Sequence, residues 1–285
     1  MNRRNKQAGF SLIELMISLT LGLILSAAVI QVMISNNSTE RLNRAIASAQ
    51  ENGRFIVSRL RKDLLMTGRY DALRPELNRD VDIVVEAAFV QNNAIPLAGD
   101  FADALAKGAA EWVVGDSDSL MVMMQGTEDC RGANHGYVDE EFLVVNEYFL
   151  VGSELKCKGY DGRVLRGLKA QVDSDTAYTL LDDVVSFQVQ YGVTDNFASQ
   201  DNTARPVKFI EADSLVAEKA AGALVVAIRI ALLVKADSEI KISPIPSFKM
   251  LNEAAFQPAE DKLYKQFETT ITLRNSKNFA RSRNL

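Results

Sequence analysis

The sequence predicts an α+β protein in which one long N-terminal α-helix, apolar over its first half, packs on a mainly antiparallel β-sheet head. Three observations predict it. From Phe10 to Ile34 the chain is apolar with a single charge, Glu14. From Leu42 to Leu64 apolar residues recur at three- and four-residue steps or their sums, with charged residues between them. Beyond Pro75 the dominant period falls from the helical one to two.

Residues 1–9, MNRRNKQAG, are polar and carry three cations and no acid. Residues 10–35 form the apolar segment. As a helix the run Phe10–Ile34 would be about 37 Å long, enough to cross a hydrocarbon core of ~30 Å. The cations ahead of it suit a cytoplasmic N-terminus with the rest of the chain translocated. Three readings of this segment compete. A cleaved secretory signal would use Ser26-Ala27-Ala28 as its small-residue site, yet the apolar run continues to Ile34 and Glu14 interrupts its beginning. A plain single-span anchor leaves Glu14 unexplained, because an ionised carboxylate within a span costs about 2.5–3.5 kcal/mol. The third reading rests on Gly9-Phe10-Ser11-Leu12-Ile13-Glu14-Leu15. A basic leader, a glycine, an aromatic, a glutamate four positions on and an uninterrupted apolar helix together resemble the class III leader of type IV pilins and type II secretion pseudopilins. The resemblance implies that a prepilin peptidase cuts between Gly9 and Phe10 and that the new Phe10 amine is N-methylated. Glu14 lies one helical turn beyond Phe10 on the same face. In a bundle of apolar helices its carboxylate would neutralise the Phe10 ammonium of a neighbour. A glutamate snorkelling at the membrane interface is the competing reading.

Residues 36–68 are expected to continue the helix as an amphipathic rod. Leu42, Ile46, Ala49, Ile56, Leu60 and Leu64 form its apolar stripe, with Gly53 filling the missing turn. Glu40, Arg41, Arg44, Glu51, Arg54, Arg59 and Arg61 lie largely between them. Asn36-Asn37-Ser38-Thr39 marks the exit from the membrane, and Gly68 is the expected stop. A helix from Phe10 to about Thr67 would be roughly 87 Å long. No proline precedes Pro75, so Gly22 is the one residue of the apolar half suited to a bend.

Residues 69–285 are expected to form a β-rich head. The predicted strands are Ser119–Gln125, Phe142–Val151, Val164–Leu168, Val184–Val193, Leu224–Lys235 and Phe267–Arg274. Phe187, Val189 and Tyr191 alternate with Ser186, Gln188 and Gln190, which suits a strand with one buried face. Leu224 to Val234 is apolar on both faces except at Arg229 and fits a central strand. Thr194–Arg205 is a polar loop.

Composition bounds the function. The 285 residues are 24% charged and 47% hydrophobic, which is ordinary globular usage. The formal net charge is −5, and removing residues 1–9 with their three cations would make it −8. An acidic body argues against broad binding to nucleic acid. The two cysteines, Cys130 and Cys157, read as one disulfide if the head is exported. His135 is the only histidine. With Asp129 and Cys130 nearby it lacks any spaced ligand pair and reads as a loop residue rather than a metal ligand. Asp80, Asp82, Asp182 and Asp183 read as turn and strand-end residues. Asp195, Asn196, Asp201 and Asn202 could line a calcium loop, but their spacing does not match an EF-hand. The tail residues Arg274, Lys277, Arg281 and Arg283 are basic and read as solvated. No nucleophile-elbow, zinc, Walker or dinucleotide motif occurs, so no enzyme, metal or cofactor is expected.

Five segments resemble PilW-type minor pilins. They are ENGRF (Glu51–Phe55), SRLRKDLLMTG just after it, FQVQYGV (Phe187–Val193), VVAIRIALLVKA (Val225–Ala236) and LYKQFETTITLRN (Leu263–Asn275). The resemblance implies a minor type IV pilin that co-assembles with other minor and major pilins and primes pilus assembly at or near the tip. It implies an inner-membrane precursor with its head in the periplasm, engagement of the pilus assembly machinery, and a final place in a surface fimbrium used for twitching motility. A type II secretion minor pseudopilin is the nearest alternative, and a tip adhesin or DNA-uptake pilin the next.

Overall fold

The computed structural model describes residues 11–101, 108–110, 117–172, 176–195, 205–237 and 240–276. α1 runs unbroken from Leu12 to Leu64, 53 residues. Residues 11–41 are all exposed. The helix begins to bury side chains only at Ala45, and the buried stripe then runs Ala45, Ala49, Gly53, Ile56, Leu60 and Leu64. These four- and three-residue steps are one face of a helix. The stripe is centred on Ala45 rather than on Leu42 and Ile46, which are only half-buried. Small residues let the helix lie close to the sheet: a Cβ on Gly53 would sit 2.0 Å from the Phe267 ring. The helix ends three residues earlier than expected. Leu65, Met66 and Thr67 close it with tight turns, and Gly68, at φ +74°, turns its N–H away to Met123 O at 2.8 Å.

The head contains two antiparallel sheets. The first has the order β1-β2-β3-β4, formed by Leu120–Gly126, Phe142–Val151, Glu154–Asp161 and Tyr178–Leu181. The second has the order β6-β5-β7-β8, formed by Lys208–Ile210, Val184–Val193, Val225–Lys235 and Tyr264–Thr272. As the apolar run at Leu224–Val234 implied, β7 is central, paired with β5 on one side and β8 on the other. Between the sheets lies the main core. Ile56, Leu60 and Leu64 of α1 meet Val122, Val144 and Tyr148 of the first sheet and Phe187, Ile228 and Ile271 of the second.

Both sheets are also covered on their outer faces, which explains their non-alternating strands. Met121, Met123, Leu143 and Val145 pack under Val90 of α2 (Ile83–Asn92). Ala231 and Leu233 pack under Met250 and Phe256. For the same reason Ser186, Gln188 and Gln190 of β5 are buried rather than solvated.

Some expectations fail locally. The predicted strand Val164–Leu168 is instead the end of a short helix, α3 (Gly162–Leu165), followed by Gly167 at φ +70°. Asp161 starts that helix by accepting from the Arg163 N–H at 2.9 Å. Asp82 likewise caps α2, accepting from Val84 and Val85, so it begins a helix rather than marking a turn between strands. α4 (Ala212–Ala220) was also not anticipated.

Candidate functional site

The free half of α1 is the first part of the site. It holds a stretch long and apolar enough to cross a membrane, and none of that stretch is buried within the chain. From Ser11 to Arg41 it projects about 45 Å beyond the first buried residues. Three of its hydroxyls are satisfied locally. Ser18 Oγ donates to Glu14 O at 2.7 Å, and Thr20 Oγ1 donates to Ile17 O at 2.9 Å. Thr39 Oγ1 donates to Ser35 O at 3.0 Å. No hydroxyl of these three enters the apolar surroundings unpaired.

Glu14 turns back along the helix. Its Oε2 accepts the Ser11 N–H at 3.0 Å, while Ser11 stands in extended conformation at the helix start. The carboxylate thus sits beside the open N–H groups of the first turn, where the helix dipole favours negative charge. Ser11-x-x-Glu14 was legible as a capping pattern in the sequence, and the pairing expected for Glu14 drew attention away from it. Gly9 and Phe10 lie outside the described residues.

The second part is the anchorage of the helix in the head. Tyr148, fully buried in β2, donates its hydroxyl to Asp63 Oδ2 at 3.0 Å. Burial raises the Asp63 carboxyl above its ordinary range despite the Tyr148 and Arg59 hydrogen bonds. Arg59 Nη2 donates to Cys130 O at 3.0 Å, tying α1 to the loop between β1 and β2. That loop is pinned twice. Cys130 is bonded to Cys157 of β3, with the two Cα atoms 6.4 Å apart. Asp129 organises the rest. Its Oδ2 accepts from Arg131 Nη2 at 2.7 Å and meets His135 Nε2 at 2.8 Å. Its Oδ1 accepts the backbone N–H of Arg131 at 2.7 Å and of Ala133 at 3.0 Å. Burial alone would push the Asp129 carboxyl up, but these hydrogen bonds outweigh it and hold it at about 2. His135 is therefore a buried loop residue bound to a carboxylate. Among the described residues no three His, Cys, Asp or Glu side chains could hold a metal ion together.

A buried ion pair fastens α2 to α3 on the far face of the first sheet. Glu86, 0% exposed, receives Arg163 Nε at 3.0 Å and Nη2 at 2.9 Å, and Tyr70 donates its hydroxyl to it at 2.7 Å. Burial would depress the Arg163 pKa, but the pairing with Glu86 raises it instead. Such a pair fixes geometry more than it adds stability. The structure brings Cys130, Cys157, Asp129 and His135 together and leaves Glu14 at the opposite end of the molecule. Asn196, Asp201 and Asn202 of the calcium-loop candidate, and Lys277, Arg281 and Arg283 of the tail, lie outside the described residues. Asp183 stands at φ +61° in the turn entering β5.

Residues 4–30 match the model of the prokaryotic N-terminal methylation motif, a span that includes Gly9, Phe10 and Glu14. Residues 144–275 match the model of the type IV pilus-assembly protein W. A solved structure similar to this chain is a type IV-like pilin from Thermus thermophilus, 13% identical, with a TM-score of 0.33. That match covers 59% of this chain and 82% of that one. No curated protein matches the chain.

A methylation motif on a free apolar helix that continues into a sheet-built head defines a type IV pilin-like protein, and this chain is one. Within that class the stretch from β2 to β8 is similar to the type IV pilus-assembly protein W. The class is structural rather than typically enzymatic. The motif implies processing by a prepilin peptidase, pilin partners and a membrane-anchored precursor.

Proposed function

We propose that this chain is a minor type IV pilin that co-assembles with other minor pilins to prime filament growth, at the filament tip. The observation that carries the proposal is the helix itself. Residues 11–41 are exposed along their whole length, and the residues from Leu12 to Ile34 are almost all apolar. Such a segment is stable only in a membrane or against other apolar helices, and a pilin moves from the first to the second. In this reading the peptidase removes residues 1–9 and Phe10 becomes the methylated N-terminus. Glu14 then exchanges its own Ser11 N–H for the Phe10 ammonium of a neighbour. The precursor rests in the inner membrane with its head in the periplasm, where Cys130 and Cys157 oxidise.

The test is a deletion strain complemented with the full chain. The protein recovered from membranes should have lost residues 1–9 and gained one methyl by intact mass, and the strain should regain pili and twitching. A mature chain beginning at Val29 would overturn the processing. Normal piliation in the deletion strain together with lost protein secretion would move the chain to the type II secretion machinery.

A further inference from the structure

Opposite the buried stripe of α1 runs a second stripe. Going outward from the exit of the apolar segment, Arg44, Glu51, Arg54, Phe55, Ser58 and Lys62 recur at helical steps on the face turned away from the head. Between Glu40 and Leu64 the helix carries six cations, Arg41, Arg44, Arg54, Arg59, Arg61 and Lys62, against three acids, Glu40, Glu51 and Asp63. Arg59 and Asp63 are engaged with the head and with each other, and Arg44 pairs with Glu40. Among the described residues no ion pair engages Arg54, Arg61 or Lys62, and all three are exposed. At the centre of this face stands Phe55, 56% exposed. The rest of the molecule has the opposite sign: residues 65–285 hold 23 Lys and Arg against 33 Asp and Glu. The chain is therefore divided between a basic helix face and an acidic head.

From this division we infer that the outer face of distal α1, centred on Phe55 with Arg54, Arg61 and Lys62 around it, docks the acidic head surface of a neighbouring pilin subunit. Three observations choose that occupant. The face is collinear with the free apolar half of the same helix, so a neighbour packed along that half meets this face next. Its charge complements the acidic character of a head such as this chain's own, and complementarity of this kind sets register and partner choice. An exposed aromatic with arginines on the same helix surface matches the residues that most often anchor protein interfaces. A polyanion such as DNA fits less well, because Glu51 interrupts the face and the head repels it.

The inference rests on the assembly reading above, and the experiment separates the two. A photo-crosslinking amino acid is placed at Phe55 or at Leu23 in the full-length chain, expressed in the piliated host and activated in whole cells. The Leu23 probe reads the apolar half, and the Phe55 probe reads the proposed face. Both should yield adducts whose peptides come from subunits with prepilin leaders. The Phe55 adduct should map to acid-rich head peptides and weaken as ionic strength rises. Reversing Arg54, Arg61 and Lys62 to Glu should cut the Phe55 adduct by about tenfold or more and leave the Leu23 adduct intact. These side chains are exposed, so an unchanged thermal midpoint would show that the head still folds. A Leu23 adduct without a Phe55 adduct, or a Phe55 adduct indifferent to the reversal, overturns the inference alone. Crosslinking of Phe55 to nucleic acid overturns it in favour of a polyanion. Absence of both adducts overturns the assembly reading, and the inference with it.

Discussion

Residues 11–41 of α1 are all exposed, whereas from Ala45 to Leu64 the helix supplies one wall of the head core. The two halves are one continuous helix with no proline between them, so secondary structure does not distinguish them. What differs is the width of the apolar surface. The first half is apolar all round and can be satisfied only by lipid or other helices. The second is apolar on one stripe and is satisfied by its own sheets. One half is thus committed to intermolecular packing and the other to folding, and their mutational responses should separate.

The widest separation is expected between two leucines. Leu60→Ala removes a fully buried side chain from the main core and should cost the head about 4 kcal/mol, toward the upper end for such truncations. Leu23→Ala, on the free half, should leave head stability unchanged. Denaturant unfolding of the full chain in detergent, followed by near-ultraviolet circular dichroism, measures both. Equal losses would mean that the free half folds back on the head. Next in size is the cross-link. Cys157→Ser opens a loop with a sequence separation of 27 and should cost about 3–4 kcal/mol on the chain-entropy model. Reducing agent should produce the same loss in the wild type and none in the variant.

A third response is confined to the head and depends on pH. The Asp129 carboxyl is held at about 2, below its unfolded value near 3.8. Its contribution is fully present above pH ~4 and is lost as pH falls from there through about 2. With a shift of this size the contribution is about 2 kcal/mol. Asp63 works against it: its raised pKa adds stability on protonation, over a window that begins near pH 4 and extends upward. Comparing the urea midpoint at pH 6 and pH 3 should show an acid loss in the wild type. In Asp129→Asn that loss should shrink, because the carboxylate that weakens on protonation is gone.

These contrasts also mark what could be read from the chain alone. Phe142–Val151 and Val184–Val193 were legible to the residue, because long β-branched and aromatic runs admit no other period. The helix was legible as a whole, but the centre of its stripe was not. Ala45 is too small to register as an apolar signal, and Gly53, which fills a turn of the stripe, is also what admits the close approach of Phe267. β3 was missed because Lys156 and Lys158 flank Cys157 and Gly159 in a stretch that reads as a loop. α2 was missed because IVVEAAFV is apolar on every side and has no period to detect. Its identity as a helix depends on Asp82 at its start and on Glu86 meeting Arg163 from 77 residues away. At the site, the methylation motif over residues 4–30 was legible in sequence because it is local. The Asp129 hub was not, because it forms only when the loop closes.

The smallest expected effect on the fold belongs to Glu14, and it divides two roles that the sequence runs together. In the isolated chain the carboxylate accepts the Ser11 N–H and faces the positive end of the helix. Its proposed role in the filament is to offset the Phe10 ammonium of another subunit. Glu14→Gln keeps an oxygen that can accept the Ser11 hydrogen bond but removes the charge, whereas Glu14→Ala removes both. Neither residue touches the head, so both variants should unfold at the wild-type denaturant midpoint. In the proposed processing both should insert and lose residues 1–9, since both keep the Gly9-Phe10 junction. The two roles then predict different patterns in sheared pili, read by immunoblot against the membrane fraction. If the carboxylate serves mainly as a cap, Gln should restore entry into pili and Ala should reduce it modestly, in line with a cap worth about 1 kcal/mol. If it serves to neutralise an ammonium inside an apolar bundle, Gln should fail as fully as Ala, because an unmatched desolvated charge costs several kcal/mol. We expect the second pattern. Recovery of Glu14→Gln in pili at the wild-type level would confine Glu14 to starting its own helix and leave the partner's amine to be satisfied elsewhere.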